Sequence, residues 1–148
     1  MLIRVLAAAL AGALVFFLLG YVLYGVLLDP VLKNYMNHFP GLMKEPMPDV
    51  ILLFAWNFVM SFLFAFVFDK WAGIRTFTAG LKAGAVLMFI IALMTDLSSL
   101  AFMNLWNALA GVVIDIIAAT VLGAIAAGVI GWVLGFMNRQ PVVATATE

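Results

Sequence analysis

The chain has 148 residues, 68% of them hydrophobic and 9% charged, with a formal net charge of zero and a mean hydropathy of +1.25. A soluble domain is about half apolar and about a quarter charged, so this excess points to lipid as the solvent, and the absence of a basic surplus argues against nucleic acid as a partner. There is no cysteine and one histidine, His38; disulfides, thiol chemistry and a multi-histidine metal or haem site within one subunit are excluded, and neither a metal nor another cofactor is expected.

The first apolar run, about residues 3–28, exceeds the ~20 residues needed to cross ~30 Å of hydrocarbon. A signal peptide has a shorter apolar region of about 7–15 residues, so the run reads as a retained membrane helix that stops before Pro30, because the residue preceding a proline is pushed out of helix. Residues 29–48 form the one long polar connection. Val31, Leu32, Tyr35, Met36, Phe39 and Leu42 fall near helical spacing in it, which predicts a short amphipathic helix on the membrane surface. A second span at about 49–68 begins at Pro48 and Asp49, good helix-start residues. Asp69, Lys70, Trp71, Gly73 and Arg75 then read as a charged turn. A third span covers about 76–97, and Asp96, Ser98, Ser99, Asn104 and Asn107 mark a polar edge after it. A fourth covers about 106–136, with Trp106 and Trp132 ~39 Å apart along it, a spacing suited to interfacial anchors. Residues 138–148 read as a polar, disordered tail. The expected fold is therefore all-α: a polytopic four-helix membrane bundle forming one domain over residues 1–137.

Four spans place both termini on one side. One set of edges carries Arg4, Lys70, Arg75, Lys82 and Arg139, the other only Lys33 and Lys44. By the positive-inside rule the first set is cytoplasmic, giving a bacterial inner-membrane protein with cytoplasmic termini, a periplasmic loop over 29–48 and a cytoplasmic tail.

The fourth span carries small residues at every fourth position: Gly111, Ala119, Gly123, Ala127, Gly131 and Gly135, interrupted only by Asp115. Residues four apart share a helix face, and small faces let membrane helices approach closely. The stripe predicts a packing surface whose partner is either within the chain or in a second copy. Gly80, Gly84 and Ala92 in the third span, and Ala8, Gly12 and Gly20 in the first, repeat the pattern more weakly. The second span is loaded with aromatics except along Asn57, Ser61 and Ala65.

An acid inside a membrane helix is costly and by default functional. Asp115 lies ~13 Å below Trp106 and Asn57 ~12 Å below Asp49, so the two are expected at one depth in the outer half, with Tyr21 and Tyr24 above them and Asp96 nearer the surface. Asp115, Asn57, Tyr21, Tyr24, Ser61 and Asp96 thus form the candidate polar site: either a periplasm-facing pocket in which Asp115 holds a proton or cation, or polar glue between helices. His38 reads as a solvated loop residue, Asp96 as solvated or capping, and the methionines as packing. No Gly-x-Ser-x-Gly, His-Glu-x-x-His or P-loop is present. An intramembrane aspartyl protease needs two facing aspartates, and Asp96 and Asp115 are expected several ångströms apart in depth, so no enzyme is expected.

The segment Gly20-Tyr21-Val22-Leu23-Tyr24-Gly25 followed by Pro30, the pair Gly80-Leu81 entering span three, and Ile114-Asp115 in an apolar, glycine-rich last span are similar to features of a family of small four-span bacterial membrane proteins known only as a domain of unknown function. The resemblance implies the four-span fold and no activity. Span one has no acid before Asp29, unlike small multidrug transporters. The functional expectation is a non-enzymatic membrane protein that self-associates or serves as an accessory subunit with other membrane subunits. The alternative is a small channel or carrier for protons, cations or a small solute, using Asp115.

Overall fold

In the computed structural model, which describes residues 2–42, 44 and 47–138, the chain is all-helical with four helices long and apolar enough to cross a membrane. They are α1 (Leu2–Leu32), α2 (Val50–Ala72), α3 (Phe77–Phe102) and α4 (Leu109–Asn138). The expected four-span bundle is thus present. The expected tail lies outside the described residues apart from Asn138. One end of the bundle holds both described termini and the α2–α3 turn, and is called here the basic edge. The other holds the α1–α2 connection and the α3–α4 turn, and is called the loop edge.

The helix ends differ from the sequence expectation for identifiable reasons. Pro30 does not stop α1. Residues Tyr21–Leu28 are π-helical and α-helix resumes over Asp29–Leu32, with Pro30 in its first turn. A π turn bonds i to i+5 and widens the helix; a proline lacks an N–H and clashes with the carbonyl four residues back in a regular α-helix, so the widened stretch accommodates it. The amphipathic surface helix expected after it is absent. Residues 33–35 turn, and Met36 pairs in an isolated antiparallel bridge with Trp106. Asn37 N–H donates to the Leu105 carbonyl at 2.8 Å and Asn107 N–H to the Tyr35 carbonyl at 3.0 Å. The Asn37 side-chain amide donates to the Asn104 carbonyl and the Asn107 amide to the Asn34 carbonyl. Of the apolar positions that looked helical, Leu32 is buried, the Tyr35 Cβ lies against Gly111 and Met36 bridges to Trp106, while Val31, Phe39 and Leu42 stay exposed.

α3 runs to Phe102, five residues past the expected end. The polar residues taken for an edge do not break it, because the Thr95 and Ser99 hydroxyls donate to the carbonyls of Ile91 and Thr95 on their own helix, a way for such side chains to sit inside a helix. α4 starts at Leu109, not 106. Trp106 therefore lies in the turn and is no anchor on α4, whereas Trp132 is exposed and stacks on Phe136. Helix starts follow capping chemistry. Asp49 Oδ1 accepts from the N–H groups of Ile51 and Leu52 before α2, and Thr76 Oγ1 accepts from Ala79 N–H before α3. Gly73 closes α2 at φ 63°, a left-handed conformation that a side chain disfavours.

Packing is organised around α4. Its Gly111, Ala119, Gly123, Ala127, Gly131 and Gly135 are all buried. From Ala119 inward the stripe lies against α3 and the turn preceding it: a Cβ at Gly123 would strike Met88, one at Gly131 would sit 2.7 Å from the Thr76 carbonyl oxygen, and one at Gly135 would strike the Arg75 carbonyl. Conversely, Cβ atoms at Gly80 and Gly84 of α3 would strike Ala127. This small-on-small contact lets two backbones meet and substitutes for the hydrophobic drive that lipid removes. On its other side α4 receives α1, where Gly12 admits the Ile130 side chain. α2 packs mainly on α1, through Phe16 against Phe64 and Phe17 against Phe54. α3 packs extensively on α4 alone.

Candidate functional site: a carboxyl pair at the loop edge

The antiparallel α3–α4 hairpin decides where its two acids lie. Asp96 precedes the end of α3 at Phe102 by six residues, and Asp115 follows the start of α4 at Leu109 by six. At 1.5 Å per residue each sits ~9 Å inside its helix end. The depth difference expected from sequence came from placing one helix end too early and the other start too early, and it does not exist. Asp96, expected at the surface as a solvated or capping residue, is only 4% exposed. Its carboxyl lies within hydrogen-bonding reach of the Asp115 carboxyl. The ground on which two facing aspartates were dismissed is corrected accordingly.

The third member comes from α1. The Tyr24 hydroxyl donates to the Asp115 backbone carbonyl at 3.3 Å, which sets it beside the Asp115 side chain. Tyr24 is delivered by the π-helical stretch Tyr21–Leu28. The same stretch turns Tyr21 away: it is 66% exposed and does not join the site. In a regular helix residues three apart share a face, whereas in the wider π turn they diverge.

Asn57 and Ser61 are buried but stand elsewhere. The Asn57 amide donates to the Leu53 carbonyl of its own helix at 3.0 Å, and no described hydrogen bond joins it to Asp115. The partnership expected from shared depth is therefore not made. Ser61 is fully buried, and its hydroxyl, without a partner among the described residues, lies against Gly12 of α1. His38 is exposed in the loop connection.

The chemistry of the pair follows from its lack of a counter-charge. Among the described residues, the basic side chains at the loop edge are already engaged: Lys33 with Asp29 at 2.7 Å and Lys44 with Asp49 at 3.8 Å. Lys82 lies on α3 fourteen positions before Asp96, ~21 Å away along the axis. Asp96 Oδ2 is buried and has no hydrogen-bond donor. Two ionised carboxylates offer only acceptors and repel one another, whereas a single proton between them turns the contact into a hydrogen bond. No cluster of three or more metal-ligating side chains occurs among the described residues.

Sequence reasoning missed a second polar group, at the basic edge. Asp69, read as part of a charged turn, has a side chain only 3% exposed; Arg75 Nη2 approaches it at 2.8 Å, Lys70 Nζ at 3.7 Å and Arg4 Nη2 at 3.8 Å. Arg75 also donates to the carbonyls of Asp69 and Ile74, and Arg4 Nη1 donates to Asn138 Oδ1 at 2.6 Å. The available signal was that the one acid of the charged turn, Asp69, is followed by Lys70 and Arg75, with Arg4 at the same edge. Comparison with family models, curated proteins and solved structures finds no match to this chain.

Proposed function

We propose that the chain is a small non-enzymatic protein of a bacterial cytoplasmic membrane, termini on the cytoplasmic side, that takes up and releases a proton at the Asp96–Asp115 pair. The observation that carries this reading is the meeting of two carboxyl groups inside the bundle with no basic partner among the described residues, one of them with a buried, donor-less oxygen. A carboxyl pair that shares one proton is a recurrent proton-handling device, and Tyr24 supplies a neutral hydroxyl on the third side. The excess of basic residues at the opposite edge supports the orientation. The small-residue stripe of α4, which from sequence had favoured self-association, is covered by α3 and by the turn before it along most of its length and lends that idea no weight.

The test is reconstitution of the full chain into liposomes with a trapped pH indicator under an imposed potential. Proton flux that Asp96→Asn and Asp115→Asn each abolish, in variants that still purify as the wild type does, supports the reading. Flux unchanged in both variants, or no proton flux in the wild type, defeats it.

A second reading is the accessory or self-associating subunit. It is favoured by an apolar groove of about 340 Å³ on the outer face of α2, lined by Trp56, Met60, Leu63 and Phe66. Cross-linking from Trp56 positions to a second polypeptide in native membranes would support it, and labelling by lipid alone would count against it.

A further inference from the structure

We infer that the basic edge holds a binding site for an anionic phospholipid, in the cleft where the start of α3 meets the end of α4. The cleft measures about 170 Å³ and is lined by Arg75, Thr76, Phe77, Trp132 and Phe136, with Gly135 as its floor. It exists because Gly135 lets the α2–α3 turn settle directly on α4, the Arg75 carbonyl lying where a side chain would otherwise project.

Charge identifies the occupant. Three cations, Arg4, Lys70 and Arg75, converge on one carboxylate, Asp69, so among these described groups two positive charges are in excess beside the cleft, and Arg75 is the one that lines it. Hydrogen-bonding capacity is left over as well. Among the described residues Arg4 Nε is buried with no acceptor and Asp69 Oδ1 is buried with no donor in hydrogen-bond geometry, while Arg75, with five N–H donors, makes hydrogen bonds only to the carbonyls of Ile74 and Asp69 besides its ion pair. A phosphodiester supplies the missing negative charge and the acceptor oxygens in a form that a guanidinium matches. The rest of the cleft fits the remainder of such a molecule. Trp132 and Phe136 stack on one another and are exposed on the outer surface of α4, where an acyl chain descending from a headgroup at Arg75 would lie. Basic pockets between helices at a membrane surface are the usual recognition mode for anionic headgroups. The site is at the opposite edge from the carboxyl pair and is independent of it.

The full chain is reconstituted in phosphatidylcholine bilayers containing a minor fraction of brominated lipid. Quenching of Trp132 is taken as the difference between wild type and Trp132→Phe. Brominated phosphatidylglycerol should quench Trp132 with about a fivefold preference over brominated phosphatidylcholine, the effect expected of one basic side chain at an anionic surface. Trp56, six residues from the loop-edge start of α2, should show none. Arg75→Gln should remove the preference; Arg75→Lys, which keeps the charge and the pairing with Asp69, should retain part of it. Equal quenching of wild-type Trp132 by the two brominated lipids overturns the proposal whatever the variants do. Loss of the preference on adding inorganic phosphate at constant ionic strength overturns it too, since the site would then take the free ion.

Discussion

The two edges of this bundle solve the problem of polar groups near lipid in opposite ways. At the basic edge, one buried carboxylate is surrounded by three cations contributed by α1, α2 and the α2–α3 turn, and the end of α4 is tied in through Asn138. At the loop edge, two acids from α3 and α4 meet each other and a tyrosine, with every described base in that region committed elsewhere. The backbone follows the same division. The basic edge is crossed by a tight turn closed by Gly73, and glycine faces bring α3 and α4 together there. The loop edge carries an eight-residue π-helical stretch and a long connection held by asparagine hydrogen bonds. Opposite charges in contact lock a structure; like groups in contact hold a proton. The arrangement assigns anchoring to one edge and chemistry to the other.

The division can be broken at either edge. The largest loss of stability is expected from Asp69→Ala, which leaves Arg75 and Arg4 facing one another without their carboxylate: on the order of 3 kcal/mol, measured by unfolding in graded mixtures of denaturing and mild detergent. A loss below about 1 kcal/mol would mean that the ion cluster does not anchor this edge. Gly135→Val forces a side chain into the Arg75 carbonyl and should cost about 2 kcal/mol by overpacking, read in the same unfolding experiment. A smaller effect follows at the other edge. Asp96→Leu removes one acid and one interhelical contact, and should change stability by only about 0.6 kcal/mol, the average for such bonds, while abolishing proton flux. Unequal outcomes of this kind separate a site from a strut; a large stability loss with flux retained would reverse the assignment. The smallest change belongs to Lys33→Ala, whose exposed pair with Asp29 should contribute no more than about 0.5 kcal/mol.

How much of this was legible beforehand depended on whether the feature is local. Hydropathy and length located the four spans, because crossing hydrocarbon imposes a minimum run of apolar residues. The every-fourth spacing of Gly111 to Gly135 marked a face, because helix periodicity is a property of one segment. It did not name the partner, which depends on how α3 folds back. The ends of helices were harder to read. Ser98 and Ser99 resemble a boundary until the Ser99 hydroxyl is seen to bond its own helix, and Pro30 resembles a stop until the preceding turn is seen to widen. Those small errors had a large effect on the candidate site. Displacing two helix ends moved Asp96 away from Asp115 and brought Asn57 forward in its place. A shared depth did not guarantee a shared face: Asn57 lies on a helix that packs mainly on α1, and its amide bonds Leu53 on its own helix.

The dependence of α3 on α4 alone bears on the order in which the protein is made. The first two helices can pair as soon as both have left the ribosome. The third emerges with Gly80 and Gly84 bare and with Asp96 carrying an insertion penalty of about 3 kcal/mol near mid-membrane, less toward the headgroups. Nothing already synthesised relieves either. Both are relieved only when the fourth helix arrives with its glycine face and with Asp115. The third and fourth spans are therefore expected to enter the bilayer as a pair, and a chain halted after Phe102 should leave its third span slow to partition from the insertion machinery into lipid.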